Sequence, residues 1–450
     1  MGSFDNNRTR EVIALSVPAI LSQLSTVVMQ YIDTAMVGSL GANATASVGL
    51  INSTIYLTNG FCTAAATGGS VLTAYAVGAG ELRKAKLNYR QSLICVTVFA
   101  VLLEIFCAGI SGRLPVWLAG DEAIVKDSSA YFFVYSLSLP FVALNTMASS
   151  ALQCSGNTKI AGAVNLIMCV LDVLFNRLFI FEPFGLGVAG AAIGTALSQF
   201  TAAVILLIYS CLFFDKLRLK DIHGRLIDMS VFKKALKISL PVAFEEFVMC
   251  GTFIITTRIL APYGALQTAV YSLVVTAESI CYMPGFGMGI AATSLVGRSL
   301  GSGSRELTKT YSALTIRIGT AIMSIMAVVM FIAAPAIAGM LTADREAARL
   351  AVMCLRIQML CEPLFAVQLV TSGIFRGAGD TLVSGIINAV SMWGVRLLLI
   401  VLLVKRYMTV GVWIAVSAEL CVRGTVFFIY YKSYRWLNKY KLRQHRTTTG

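Results

Sequence analysis

The residues of this chain best placed to do chemistry are carboxylates set inside long apolar segments. Asp33 stands in the run Gln30-Tyr31-Ile32-Asp33-Thr34-Ala35-Met36-Val37-Gly38, near the end of a segment that extends from about Glu11 to Val37. At helical spacing Thr26, Gln30, Asp33 and Thr34 share one side, so this stripe must face protein or water rather than lipid. In a later apolar segment Asn165, Asp172 and Asn176 follow at spacings of seven and four, which places them on one helix face. Two carboxyl groups in a site with little water resist carrying two negative charges at once. A proton can therefore be held there and expelled when a cation arrives. That mutual exclusion is the coupling between two ligands that antiport requires. The structural alternatives are a carboxylate that only pins two helices together, and an ion pair between Asp172 and the nearby Arg177.

The second half of the chain carries its own acids. Glu245 and Glu246 are adjacent, so on a helix they point about 100° apart and only one can face a given cavity squarely. Glu245 continues to Met249, Thr252 and Thr256 on one face and is the better candidate. Glu278, Glu362 and Arg396 are further charges inside apolar segments, where a Glu–Arg pair is as natural as a transport role. The cation-coupling set is thus Asp33, Asp172 and Asn176, with a proton as the coupling ion and sodium on the same three residues as the alternative. The substrate-cavity set is Gln30, Thr34, Asn165, Glu245, Glu246, Met249, Glu278 and Glu362. No cofactor is expected. The only histidines, His223 and His445, lie outside the apolar segments, no HExxH pair occurs, and the 11 cysteines form no CxxC pair. Hydrolytic enzyme chemistry, a His-based metal site and a disulfide framework therefore lack their usual parts.

These residues need long helices to position them, and the composition supplies such helices. The 450 residues are 57% hydrophobic and 13% charged, with a mean hydropathy of +0.78, which describes a polytopic membrane protein. We count about twelve apolar runs long enough to span a bilayer. The net charge of +14 does not point to nucleic acid, because the basic residues cluster in alternate loops. Arg83, Lys84, Lys86 and Arg90 fall in one such loop, Lys216 to Lys234 in another, Arg298, Arg305 and Lys309 in a third, and Lys432 to Arg446 in the tail. With an even number of spans all of these share one face with both termini, and by the positive-inside bias that face is cytoplasmic. The expected organisation is a cytoplasmic segment over 1–10, a first lobe over 11–211, a charged cytoplasmic loop over 212–234, a second lobe over 235–431 and a basic tail over 432–450. The first ten residues and the span after them lack the pattern of a cleaved signal.

The two halves match each other. An offset of about 223 residues pairs Ser16 and Pro18 with Ser239 and Pro241, Gly41 with Gly264, Gly78 and Gly80 with Gly301 and Gly303, Pro140 with Pro363, and Asn165 with Asn388. Six spans per half is even, so both halves enter the membrane in the same sense. The fold class expected is all-α, with twelve transmembrane helices in two six-helix lobes related by a pseudo-two-fold axis along the membrane normal.

Several runs carry a family resemblance. They are Asp33-Thr34-Ala35-Met36-Val37-Gly38 with Leu40-Gly41-Ala42, Gly78-Ala79-Gly80, Gly156-Asn157-Thr158-Lys159, Arg376-Gly377-Ala378-Gly379-Asp380-Thr381, and Gly185-Leu186-Gly187-Val188-Ala189-Gly190-Ala191-Ala192. In this order, over essentially the whole chain, they resemble the multidrug and toxic compound extrusion (MATE) family, and the first-span Asp resembles its DinF-like branch more than its NorM-like one. The resemblance implies a V of two lobes and export of amphipathic, often cationic compounds in exchange for protons or sodium. DinF-like relatives hold Asn and then, four residues later, Asp where this chain has Asp172 and Asn176, so the pair is present but swapped. The span-7 Glu and span-10 Asp of NorM-like relatives fall on Met249 and Phe365 here, with Glu362 one turn away, which disfavours that sodium site. The reading is an inner-membrane, proton-coupled multidrug antiporter, a monomer whose partners are small molecules and membrane lipids. A flippase for a lipid-linked precursor is the alternative within transport, and a passive channel the alternative outside it.

Overall fold

A computed structural model describes residues 2–118, 120–220, 222, 228–342 and 344–437, the side chains of 2–5 excepted. His223, Arg225, His445 and the tail beyond residue 437 lie outside the described residues. The first half of the chain forms α1 (Gly2–Gly38), α2 (Ala42–Gly78), α3 (Leu82–Ile110), a single turn α4 (Leu114–Trp117), α5 (Glu122–Cys154), α6 (Thr158–Ile180) and α7 (Gly187–Ile208), which runs into a π turn. The second half forms α8 (Met229–Leu260), α9 (Ala265–Gly301), α10 (Arg305–Leu341), α11 (Arg345–Met359), α12 (Glu362–Gly377), α13 (Thr381–Ala389) and, after a second π turn, α14 (Leu397–Lys432). No strand occurs among the described residues.

The expected twelve spans are recovered with two differences of form. Nine of the described helices are long and apolar enough to cross a membrane. The bent pair α11–α12, with a 57° angle at its break, supplies one more, and the 37-residue α2, rich in Thr and Gly, another. The stretch Thr381–Lys432 supplies the last, because it folds at Met408 (φ 47, ψ −130) and is two spans rather than one. The expected tenth span is likewise two pieces, with Pro363 in the first turn of the second, where its missing N–H costs nothing.

The duplication is visible in the backbone. Ala42, Leu82, Glu122 and Thr158 open helices in the first half, and Ala265, Arg305, Arg345 and Thr381 open helices in the second at the same offset of 223 residues. Gly41 and Gly264 both take left-handed φ, 113° and 106°, and Gly80 and Gly303 take 75° and 77°. An L side chain is strained at these angles, so the turns kept their glycines. Asp121 and Asp344, again one offset apart, each cap the helix that follows.

The chain divides into two compact units. The N unit is Leu24–Ala243 with Gly301–Gly303; the C unit is the described part of Met1–Gln23, Phe244–Leu300 and Ser304–Gly450. Each unit is built on close backbone approaches through small residues, the means by which helices associate where lipid is as apolar as their own side chains. In the N unit a Cβ on Gly190 would lie 2.2 Å from the Phe179 carbonyl oxygen, which sets how closely α7 meets α6. In the C unit a Cβ on Gly373 would lie 2.2 Å from the Gly289 oxygen, and one on Gly424 2.3 Å from the Leu364 oxygen. Around these contacts lie fully buried aromatics, among them Phe375, stacked on Phe427 at 5.7 Å.

Gly373→Val should lower the unfolding temperature of the detergent-solubilised protein by several degrees, since the clash is with backbone and costs roughly 1–3 kcal/mol or more. Gly339→Val, where a Cβ meets nothing within 4 Å, should leave it unchanged.

Candidate functional site

The expected N-unit residues converge. Asp172 and Asn176, one turn apart on α6, are both completely buried, and α1 brings half-buried Asp33 against them. The Asn176 amide nitrogen donates to Asp33 Oδ1 at 2.8 Å and to Asp172 Oδ2 at 3.0 Å, so both of its N–H groups serve carboxylates. Ser198 of α7 donates to the other oxygen, Asp172 Oδ1, at 2.9 Å. The two carboxyl groups also contact each other directly, and Tyr131 of α5 stands beside both. Contact between two carboxyl groups is favourable only when a proton or another cation lies between them.

What holds the amide in this orientation is the floor beneath it. A Cβ on Gly194 would fall 2.1 Å from Asn176 Oδ1, so only glycine lets α7 close over that side chain. The oxygen itself has no hydrogen-bond partner. Arg177 points away, exposed, and no ion pair joins it to Asp172 among the described residues. Of the remaining expected N-unit residues, Gln30 and Thr34 are exposed, with the Thr34 hydroxyl donating back to the Gln30 carbonyl at 2.8 Å, and Asn165 is half-buried two turns from Asp172.

The C-unit acids serve a different arrangement. Glu245 accepts from Asn388 at 2.7 Å and from Arg376 at 3.3 Å, so it is held in an ion pair rather than left open. Asn388 is the repeat mate of Asn165, and its amide oxygen in turn accepts from Arg423 at 3.3 Å. Arg423 lies 3.0 Å from Glu419, which also takes two bonds from Arg396, at 2.6 and 3.0 Å, and one from Ser391 at 2.6 Å. The Glu–Arg pair expected of Arg396 is therefore made with Glu419, completely buried, and not with Glu278 or Glu362. Glu246 and Met249 are half-buried beside this network. Glu278 and Glu362 lie close together and buried next to the Cys281 thiol, and neither Glu362 oxygen has a hydrogen-bond partner. Among the described residues no cluster of three His, Cys, Asp or Glu side chains has the geometry to hold a metal ion.

Sequence reasoning missed Ser198, Glu419, Arg423 and Arg376 as members of these networks. The signal for Glu419 and Arg423 was present, an acid and a base one turn apart inside the last apolar segment.

Truncating Glu419 to Ala strands two buried guanidinium groups and should cost about 3–5 kcal/mol of stability, whereas pairing Glu419→Leu with Arg396→Met should recover part of the loss. Thermal unfolding of the single and double variants checks both.

A family model described as MatE matches residues 18–178 and again 241–402, the two blocks beginning one repeat apart at Pro18 and Pro241. The "Probable multidrug resistance protein NorM" of Thermotoga maritima is 27% identical over 450 residues, covering 97% of this chain and 95% of its own. The multidrug resistance protein MdtK of Proteus mirabilis is 25% identical over 399 residues, 86% of each. Among solved structures, a MOP superfamily transporter from Pyrococcus furiosus superposes with a TM-score of 0.88 at 21% identity, over 95% of both chains.

Proposed function

This chain belongs to the MatE family, and on that footing we propose that it exports amphipathic, cationic compounds in exchange for protons by alternating access. The carboxyl pair bridged by Asn176 carries the reading. Asp33 and Asp172 share one amide and touch each other, so the site holds one net negative charge comfortably and two only at high cost. A proton satisfies it in the empty transporter. A substrate cation approaching Asp33, the more open of the two, favours the doubly ionised pair and drives the proton off. Ser198 and Asn176 act as positioning residues here, keeping Asp172 turned toward Asp33.

Sodium is the second reading. With the Asn176 amide turned over, its Oδ1 would join the two carboxylates in a set of hard oxygen donors of the kind that alkali and alkaline-earth cations take. The multidrug role rests on the names of the relatives and on a balance of buried charge that leans acidic. In the C unit Glu245, Glu246, Glu278, Glu362 and Glu419 outnumber Arg376, Arg396 and Arg423, which suits cationic cargo better than the phosphate of a lipid-linked precursor. The reading has both termini on the cytoplasmic side of an inner membrane, supported by the clustering of basic residues in alternate loops.

Drug-driven proton release tests this. Tetraphenylphosphonium added to the purified protein in weakly buffered detergent should release protons from wild type, and about tenfold fewer from Asp33→Asn or Asp172→Asn. Release that persists unchanged in both variants would remove the pair from the path. Release that appears only on adding sodium would assign the coupling to that ion.

A further inference from the structure

The outer face of the C unit carries two arginines where lipid is expected. On α10 the exposed side chains Ile325, Val328, Val329 and Ile332, up to 72% accessible, form the apolar stripe of a helix that meets acyl chains. Beside this stripe α11 presents Arg349 and Arg356, seven residues apart on one face and both exposed. Between the two helices runs a groove of about 370 Å³ lined by both arginines and by Phe331, Met353, Ile357 and Leu360, the last of which is 74% exposed. Arg356 lies over the Phe331 ring at 5.2 Å and donates to the Phe331 carbonyl at 3.4 Å. Neither arginine has an acidic partner among the described residues, and the nearby Asp344 is occupied capping α11.

Depth makes the pair unusual. Counting along α11 from Arg345, Arg349 is about 6 Å and Arg356 about 16 Å from the helix start, the latter near the middle of a hydrocarbon layer roughly 30 Å thick. An arginine at the end of a span snorkels to the interface unaided. One at this depth, facing lipid, is costly until an anion meets it. The guanidinium offers a planar fork suited to phosphate, and a second one a turn or two higher extends the same ladder toward the interface.

We propose that the α10–α11 groove binds one anionic phospholipid, its phosphate drawn down between Arg349 and Arg356 and one acyl chain lying along Phe331, Ile357 and Leu360. The occupant is a lipid rather than free phosphate because the groove walls are apolar and open sideways to the bilayer. This rests on the membrane placement of the C unit and not on the ion or the cargo of transport.

Native mass spectrometry of the delipidated protein titrated with phosphatidylglycerol or phosphatidylcholine reads the site directly. Wild type should retain one phosphatidylglycerol at concentrations at least tenfold below those needed for phosphatidylcholine. Arg349→Gln with Arg356→Gln should abolish that preference, the double Lys variant should keep part of it, and Arg345→Gln, outside the groove, should leave it intact. Unfolding temperatures in lipid-free detergent verify that each variant is folded. An equal preference in wild type and the double Gln variant overturns the proposal. So does competition by glycerol phosphate as effective as that of the whole lipid, which would mark a site for a soluble anion, or a dimer in phosphatidylcholine nanodiscs that the double Gln variant disperses, which would mean a second copy covers the groove.

Discussion

Where there is no water, a polar group must be answered by another part of the protein, and this requirement shapes both units. In the N unit two carboxylates are answered by one amide and one hydroxyl, neutral groups that leave both negative charges uncompensated. In the C unit Glu419 is answered by two guanidinium groups and a hydroxyl, which more than meets its charge. The first arrangement is the one we propose takes up a cation; the second already has its cations within the protein. A buried ion pair adds little net stability but is very costly to break, so the C-unit network fixes geometry more than it deepens the fold.

That contrast developed on a shared frame. Helix starts, left-handed glycines and capping aspartates recur at one offset through both halves, so backbone and turns stayed fixed while the side chains inside diverged. Asn165 and Asn388 show the divergence at a single position. The first is a half-buried member of the α6 face below Asp172, and the second is wired between Glu245 and Arg423.

Much of this could be read from the residues. The twelve spans, the repeat and the alignment of Asp172 with Asn176 follow from hydropathy, from helix-breaking residues at a fixed spacing and from the four-residue step along one helix, whereas the pairing of Asp33 with them leans on the family resemblance. Ser198 could not be singled out, because α7 offers Thr195, Ser198 and Thr201 in succession and only its rotation against α6, set by Gly190 and Gly194, decides which of them reach Asp172. The partner of Arg396 was hidden for a related reason. Three glutamates were within plausible reach by sequence, and the fold of the chain at Met408 decides which one arrives. Nor does a proline declare its effect. Pro140 sits inside an unbroken α5, while its mate Pro363 follows a 57° break, since a proline is tolerated wherever neighbouring groups satisfy the freed carbonyl.

The amide of Asn176 has a further consequence. Its two faces are chemically opposite, a donor pair turned to the carboxylates and a bare oxygen turned to the space left by Gly194. A proton between the acids is compatible with that orientation, because the remaining carboxylate lone pairs still call for donors. A metal cation in the same place is not; it would demand that the oxygen swing inward and the nitrogen outward. Under the proposed coupling the side chain is a two-position indicator whose heading differs between a bound proton and a bound metal cation, and a nitrogen-15 label on that one residue would report it without any measurement of transport.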